Sequence, residues 1–280
     1  MDTDALRGYF ELARPTNTFV AGVLTFVGAF VAGGAVTRPI LAGAAVLATW
    51  LATAAGNAIN DYFDRDIDRI NAPDRAIPRG AVSPRGALVY SGVLFAGAVV
   101  FAVLLPPLAI AIAAINLVAL VAYTRVFKGL PGAGNAVVAY LGGSTFLFGA
   151  AAVGDVRAGS VLFALAALST FTREVIKDVE DIAGDRAEGL RTLPIVVGER
   201  RSLLVAGFVL VIAVAASPMP FLWGIFGLPY LVVVVPADVV MVAAVVLAFD
   251  DPTTGQQLLK YGMFLAAMAF VVGRLAVVLG

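Results

Sequence analysis

Two short stretches of this chain hold most of the side chains that could do chemistry, and the chemistry is that of carboxylates. The first reads Asn57-Ala-Ile-Asn60-Asp61-Tyr-Phe-Asp64-Arg-Asp66-Ile-Asp68. The second reads Arg173-Glu174-Val-Ile-Lys177-Asp178-Val-Glu180-Asp181-Ile-Ala-Gly-Asp185. Helical residues three and four apart share a face, so Asn57, Asn60 with Asp61, Asp64 and Asp68 are expected on one side, with Asp66 pointing elsewhere. The same spacing puts Asp178, Asp181 and Asp185 together and Glu180 off their face. Carboxylates crowded at the edge of an apolar run repel one another unless a cation binds them. Hard oxygen donors without His or Cys select magnesium or calcium over zinc. Magnesium usually takes one or two carboxylates and completes its shell with substrate phosphates. Two such clusters facing one cavity would suit divalent cations carrying a polyphosphate. One cluster alone reads equally well as a solvated helix end with local Asp–Arg pairs, because Arg65, Arg69 and Lys177 stand beside the acids. Two matched clusters make that reading the weaker one.

Basic and amide residues near the clusters are candidates for phosphate contact. Lys128, Arg75, Arg79, Arg173 and Lys177 have the donors to hold phosphate oxygens. Arg69, Arg85, Arg186, Arg200 and Arg201 read as ordinary anchors at the membrane edge. Farther along, Asp238 and Arg274 fall inside apolar runs, and a structural ion pair between them is the expectation, because an unpaired charge there is costly. Asn116 and Asn135 suit helix–helix hydrogen bonds as well as substrate contact.

The elements that must position these residues are membrane helices. The 280 residues are 61% hydrophobic and only 14% charged, with a mean hydropathy of +0.96. Soluble domains are about 45–50% apolar and about 25% charged. A formal net charge of zero gives no bulk attraction for nucleic acid. The absence of Cys excludes disulfides and thiolate chemistry, and the absence of His excludes Ser-His-Asp triads and His-ligated zinc or haem. Catalysis must therefore use carboxylates, Lys, Arg, Tyr, Asn and bound ions. Met1-Asp-Thr-Asp lacks the basic region of a signal peptide, so the first apolar run is expected to stay as a helix.

At about 20 apolar residues per span, nine candidate helices emerge, near 17–36, 39–60, 87–105, 108–124, 134–153, 158–176, 202–223, 229–249 and 260–279. The third and fourth are separated by a tight turn at Pro106-Pro107, and the seventh ends in a Pro/Gly-rich stretch able to break it. With the N-terminus inside, every basic residue of the nineteen except Arg38, Arg157 and Arg274 falls on the inner side. The positive-inside rule then places the N-terminus and both acidic clusters in the cytoplasm of a multi-pass cell-membrane protein. Asp61 and Asp178 are 117 residues apart, each follows an even-numbered span, and each opens a long polar loop. This resembles a weak internal duplication that would set the clusters across a central cavity.

At these residues the chain resembles the UbiA-type intramembrane prenyltransferases, a family with nine membrane helices and two Asp-rich motifs of the forms N-x-x-x-D-x-x-x-D and D-x-x-x-D. Asn60, Asp64 and Asp68 fit the first, with Asp61 beside them. Asp181 and Asp185 fit the second, with Asp178 one turn earlier. The opening Arg14-Pro15-Thr-Asn17 is similar to the family's N-terminal Arg-Pro-x-Asn segment. Within the family, Gly56–Asp64, Tyr140–Gly149, Arg173–Asp185 and Thr192-Leu-Pro-Ile look like the archaeal digeranylgeranylglyceryl phosphate synthases. The aromatic-acceptor branches often carry a Tyr before the first Asp of the second motif, and that Tyr is absent here.

The resemblance implies one all-α domain over 1–280, with about nine helices around a central cavity and both motifs on the cytoplasmic side. It implies magnesium-dependent transfer of a geranylgeranyl group from its diphosphate to geranylgeranylglyceryl phosphate. That reaction forms the second ether bond of archaeal membrane lipid and releases diphosphate. Asn60, Asp61, Asp64 and Asp68 would serve one magnesium, and Asp178, Asp181 and Asp185 another, the two bridging the diphosphate. Asp64, Asp68, Asp181 and Asp185 would be the catalytic acids. Asn57, Lys128, Arg173, Lys177, Arg14, Asn17 and Arg79 would contact substrate. The partners implied are a prenyl diphosphate, a lipid acceptor and the bilayer, with no nucleic acid and no obligate protein partner. An aromatic acceptor is the alternative within the family. A secondary transporter is also compatible with the helices and the near-repeat, but its carboxylates would be expected at the midplane instead of one face.

Overall fold

The structure is a computed structural model that describes residues 3–280. Of Thr124 and Arg125 it describes the backbone alone. The side chain of Arg125, counted above with the inner basic residues, therefore lies outside the described residues, as do Met1 and Asp2. The elements in chain order are α1 (Thr3–Ala13), α2 (Pro15–Val31), α3 (Gly34–Thr37), α4 (Pro39–Asn71), α5 (Pro84–Ala102) and α6 (Pro107–Ala122). A π-helical turn (Tyr123–Phe127) follows, then α7 (Ala133–Ala152), α8 (Arg157–Glu180), α9 (Ile182–Ala187) and α10 (Leu193–Val197). The chain ends with α11 (Glu199–Ala216), α12 (Met219–Leu222), α13 (Leu228–Leu247) and α14 (Pro252–Leu279). No strand occurs among the described residues.

Proline sets where these helices begin. Pro15, Pro39, Pro84, Pro107 and Pro252 each take the first helical position, where a missing N–H costs nothing and the fixed φ is already helical. Ser83 and Asp251 add side-chain caps, accepting from the amides of Gly86 and Thr254. Gly132 and Gly198, at φ 69° and 91°, make the turns into α7 and α11.

Seven helical runs are long and apolar enough to cross a membrane: α4, α5, α7, α8, the run Glu199–Leu222, α13 and α14. The apolar helices α2 and α6 are shorter, at 17 and 16 residues. The outward faces of the long helices are apolar, with Phe208 of α11, Val239 of α13 and Val100 of α5 all at least 60% exposed. This is the surface of a protein solvated by lipid, and the chain is a multi-pass membrane protein. At 33 residues, α4 is about 50 Å long against roughly 30 Å of hydrocarbon, so its final turns carry the first acidic cluster beyond the apolar layer.

The helices pack through small residues, as lipid-embedded helices must. A Cβ at Gly28 would stand 2.0 Å from the Phe146 carbonyl oxygen, and one at Gly149 would stand 1.9 Å from that of Thr25. Backbone therefore meets backbone where α2 crosses α7. The hydroxyls of Thr25 and Thr49 bond at 2.9 Å and tie α2 to α4. Gly255 and Gly262 let α14 lie against Ala248 and Met241 of α13. Helices α2, α7, α8, α11, α13 and α14 enclose a cavity, and the side between α2 and α14 is thinly packed.

Two expectations need correction. Asp238 and Arg274 form no ion pair. The Asp238 carboxylate accepts a hydrogen bond from the Ser217 hydroxyl, while the Arg274 guanidinium reaches toward Gly33 at the end of the bundle opposite the clusters. The physical reason is reach: Arg274 sits near its helix end and runs outward along it, and Asp238 sits deep in α13 beside the break after α11. The second cluster is also not one continuous helical face. Helix α8 ends at Glu180, Asp181 is its C-cap, and Asp185 belongs to the separate helix α9. The break predicted in the seventh span does occur, at Ser217–Pro218.

Candidate active site

The site is assembled where the long helices overshoot the apolar layer. On α4 the acids divide between two sets of partners. Asp61 and Asp68, two turns apart and both buried, hold Arg75 from the following loop, at 3.8 Å and 2.7 Å. Asp61 also holds Arg14 at 2.5 Å. Asp64, on the same face, meets a different partner, Lys128 at 3.6 Å. Asp66 is 65% exposed and paired with Arg65 and Arg69, off the shared face as expected.

Arg14 is placed by the kink between α1 and α2. It is the one non-glycine residue with positive φ among the described residues, at 48°, and it precedes Pro15. Both facts are unfavourable, since a residue before proline is steered to extended backbone and αL geometry costs about 1–2 kcal/mol. Asn57 holds the kink by donating to the Ala13 carbonyl at 3.1 Å, and the Thr18 hydroxyl donates to the same oxygen at 2.7 Å. Asn17 lies 3.5 Å from the Asn57 side-chain oxygen. Arg79 donates to Glu11 at 2.7 Å and to the Asp74 carbonyl at 2.8 Å, fastening loop 72–83 to α1. The Arg79 guanidinium beside Glu11 holds that carboxyl below its ordinary range.

In the second cluster, Asn135 of α7 donates to Asp178 at 2.8 Å, the interhelical bond anticipated for that asparagine. Lys177 reaches Asp181 at 2.9 Å. Burial pushes the Asp185 carboxyl up from its ordinary value, and its Oδ2 has no hydrogen-bond partner. Arg173 bonds Glu174 at 2.7 Å and keeps a buried Nε without a partner.

The two clusters lie at the same end of the bundle. The π-helical turn and the residues after it span the gap: Lys128 reaches Asp64, Tyr123 lies within electrostatic reach of Glu174 and Asp178, and the Arg191 amide donates to the Gly129 carbonyl. π-Helical turns recur at functional sites because they displace side chains from regular register.

Beside the acids lies the cavity, about 550 Å³ and open on one side. Its mouth carries Thr16, Asn17, Arg173 and Lys260, and its walls are apolar, with Leu24, Phe146 and Met263 among them. A second, more open hollow of about 460 Å³ is lined by Glu11, Arg14, Asp61, Arg75 and Arg79. A molecule with a phosphate head and an apolar tail matches this arrangement.

The residues also fit magnesium. Their donors are hard oxygens, and Asp64 and Asp181 each keep ligating capacity beyond a single Lys contact. Asp185 has an unpartnered oxygen. Among the described residues, no three acidic side chains converge to hold an ion unaided, so phosphate oxygens would have to complete the shell.

Lys260 and Glu174 were missed by the sequence reading. Lys260 was counted in a loop before a span starting at 260, whereas α14 starts at Pro252 and carries Lys260 two turns into the helix. The signal was available, since Asp251-Pro252 is a cap followed by proline at the first helical position.

Fold and site together define a membrane-embedded prenyltransferase: residues 21–268 match the UbiA prenyltransferase family, and the chain belongs to it. It is 70% identical over 269 residues to the digeranylgeranylglyceryl phosphate synthase of Halobacterium salinarum, covering 96% of this chain and 98% of that protein. A solved structure concerned with digeranylgeranylglyceryl phosphate synthase in membranes superposes with a TM-score of 0.88 at 34% identity, covering 97% of this chain and 99% of that one. A UbiA homolog from Archaeoglobus fulgidus bound to GPP and Mg2+ shares the fold, with a TM-score of 0.68 at 18% identity over 95% and 98% of the two chains.

Proposed function

We propose that this protein transfers a geranylgeranyl group from geranylgeranyl diphosphate to geranylgeranylglyceryl phosphate, forming the second ether bond of an archaeal core lipid. The observation that carries this reading is the 70% identity, over nearly the whole of both chains, to a protein of that activity. The geometry supports it independently, because an apolar cavity with a basic mouth adjoins two carboxylate clusters.

Asn60, Asp61, Asp64 and Asp68 on one side, and Asp178, Asp181 and Asp185 on the other, are the residues to hold magnesium. When bound, magnesium would neutralise charge developing on the leaving diphosphate. Arg173 and Lys260 at the cavity mouth, with Lys177 and Lys128 beside the carboxylates, bind diphosphate or acceptor phosphate. Arg14 and Arg75 pair with Asp61 and Asp68, and with Asn57, Asn17 and Arg79 they fix the kink and loop that form the smaller hollow. The allylic C–O bond breaks to a resonance-stabilised cation and pyrophosphate. The acceptor hydroxyl oxygen then bonds to the terminal prenyl carbon and loses its proton to a nearby carboxylate or water. The electrophile is strong enough that no His is required. Helices α2 and α6 complete nine spans, and the clusters face the cytoplasm, where soluble diphosphates and magnesium are available.

The test is transfer of radiolabel from geranylgeranyl diphosphate by purified protein in detergent with magnesium. Geranylgeranylglyceryl phosphate and 4-hydroxybenzoate are offered in parallel. Label in the glyceryl lipid alone supports the reading; label in the aromatic acceptor alone overturns it while keeping the family.

A further inference from the structure

The cavity mouth holds two cations that the carboxylate motifs do not take up. Lys128 and Lys177 each pair with a motif acid, Asp64 at 3.6 Å and Asp181 at 2.9 Å. Lys260 lines the cavity, is exposed, and makes no ion pair among the described residues. Arg173 lines the same cavity, bonds Glu174 at 2.7 Å and keeps its buried Nε without a partner. A guanidinium has several N–H donors, so a carboxylate on one edge leaves it able to hold a second anion.

These two cations stand at one level. Helices α8 and α14 run antiparallel, and the Thr253 hydroxyl donates to Glu180 at 3.0 Å where the end of α8 meets the start of α14. Seven residues back along α8 is Arg173, and seven residues on along α14 is Lys260, each about 10 Å from that bond at about 1.5 Å per residue. Leu259 packs in one cluster with Val175 and Ile176, in keeping with this register. Asp181 caps α8 eight residues beyond Arg173, so the pair lies about 12 Å nearer the bilayer than that acid. Farther in, the walls turn apolar, with Leu165 of α8 and Met263 of α14. Phe264, one turn beyond Lys260, lines the cavity and is 45% exposed, so the wall is open beside α14.

On the reading of this protein as an ether-lipid prenyltransferase, we propose that Arg173 and Lys260 form the subsite for the acceptor's phosphate, and that Lys260 selects acceptors bearing a phosphomonoester. The reaction brings two kinds of phosphate to one site, and they need different hosts. A diphosphate leaving an allylic carbon gains charge and needs metal, hence the carboxylates with Lys128 and Lys177 beside them. The acceptor's phosphate stays on its lipid and gains no charge. It needs cations free of the metal ligands, at the depth where a polar head meets apolar walls. Arg173 and Lys260 supply them. The acceptor's reacting hydroxyl is on the carbon next to the one bearing phosphate, so a phosphate held here keeps that hydroxyl within a few ångströms, between the pair and the acids. A plain membrane-edge anchor would be blind to the acceptor's head group.

The test uses purified protein with magnesium and labelled geranylgeranyl diphosphate. The acceptor is either geranylgeranylglyceryl phosphate or the same glyceryl ether without its phosphate. KM is read for the donor and for each acceptor, with the ratio of kcat/KM between the two acceptors. Lys260→Ala is expected to raise KM for the phosphorylated acceptor about tenfold and to lower the acceptor ratio about tenfold, the scale of one charge-assisted hydrogen bond. KM for the donor should stay near wild type. Lys260→Arg returns the charge and is expected to restore the ratio. Lys177→Ala, on the donor's side, should slow both acceptors alike. Lys260 is exposed, so the Lys260→Ala protein should fold, which thermal unfolding checks. An unchanged ratio in Lys260→Ala overturns the proposal, as does a rise confined to the donor's KM. Where the acceptor without phosphate gives no turnover, the KM of the phosphorylated acceptor against that of the donor decides alone. Wild-type protein that transfers nothing to the glyceryl phosphate overturns the functional reading and this inference with it; wild-type transfer with kinetics unmoved in Lys260→Ala overturns the inference alone.

Discussion

Among the described residues, Asp64 and Asp181 are motif acids that keep room for a further ligand. Each meets one lysine and stands at the surface of its cluster, 36% and 46% exposed. By contrast Asp61 and Asp68 are buried in a four-member network with Arg14 and Arg75. Asp64→Ala and Asp181→Ala are therefore expected to reduce transfer about a hundredfold or more, the scale on which single electrostatic contacts to a transition state act. Membrane insertion and thermal unfolding should stay near wild type, since neither side chain holds a helix together. Wild-type turnover in either variant would remove that residue from the magnesium site. The face shared by the first cluster could be read from spacing alone. Its division between Arg75 and Lys128 could not, because both partners arrive from loops whose paths no periodicity records.

Among the elements, the α1–loop contact responds to pH. Glu11 is held below its ordinary value of 4.5 by Arg79, and Arg79 is held above its ordinary value by Glu11. A carboxylate with a lowered folded value contributes above its unfolded value and loses that contribution as pH falls through the folded one. The raised guanidinium loses its share only at strongly alkaline pH. Proteolysis of loop 72–83 should therefore be flat from pH 8 to about 5 and rise below about pH 4.5, and Arg79→Ala should show the raised cleavage at every pH. Packing between elements is fixed by close approach. Gly149→Val would drive a side chain into the Thr25 carbonyl of α2 and separate α2 from α7. Overpacking of this kind costs about 3 kcal/mol or more, read as a lowered unfolding temperature in detergent. Gly92→Ala, where a Cβ meets nothing within 4 Å, is the matched control and should be neutral.

At the scale of the whole molecule, the chain's lack of cysteine makes its orientation testable without background. Gly184→Cys, in the short helix α9 that bears Asp185, should react with a membrane-impermeant maleimide only in inverted vesicles. Arg157→Cys, at the start of α8, should react only in intact cells. The reverse pattern would place the clusters outside and contradict the positive-inside reading. The apolar cavity draws on six helices. No segment of the sequence contains it.

Hydropathy, proline positions and the spacing of acids determined by themselves that the protein is helical, membrane-embedded and armed with two carboxylate motifs. These properties are local: a span needs only enough consecutive apolar residues, and a shared face needs only a period. The tertiary structure decided what each charge meets. Asp238 and Arg274 both sit within apolar helices, yet one turns to Ser217 and the other runs outward to Gly33. Lys260 looked like a loop residue and reaches the cavity mouth because α14 begins eight residues earlier. Ion pairs depend on depth, helix rotation and loop path together, and those are fixed only when glycine-lined helices dock against one another.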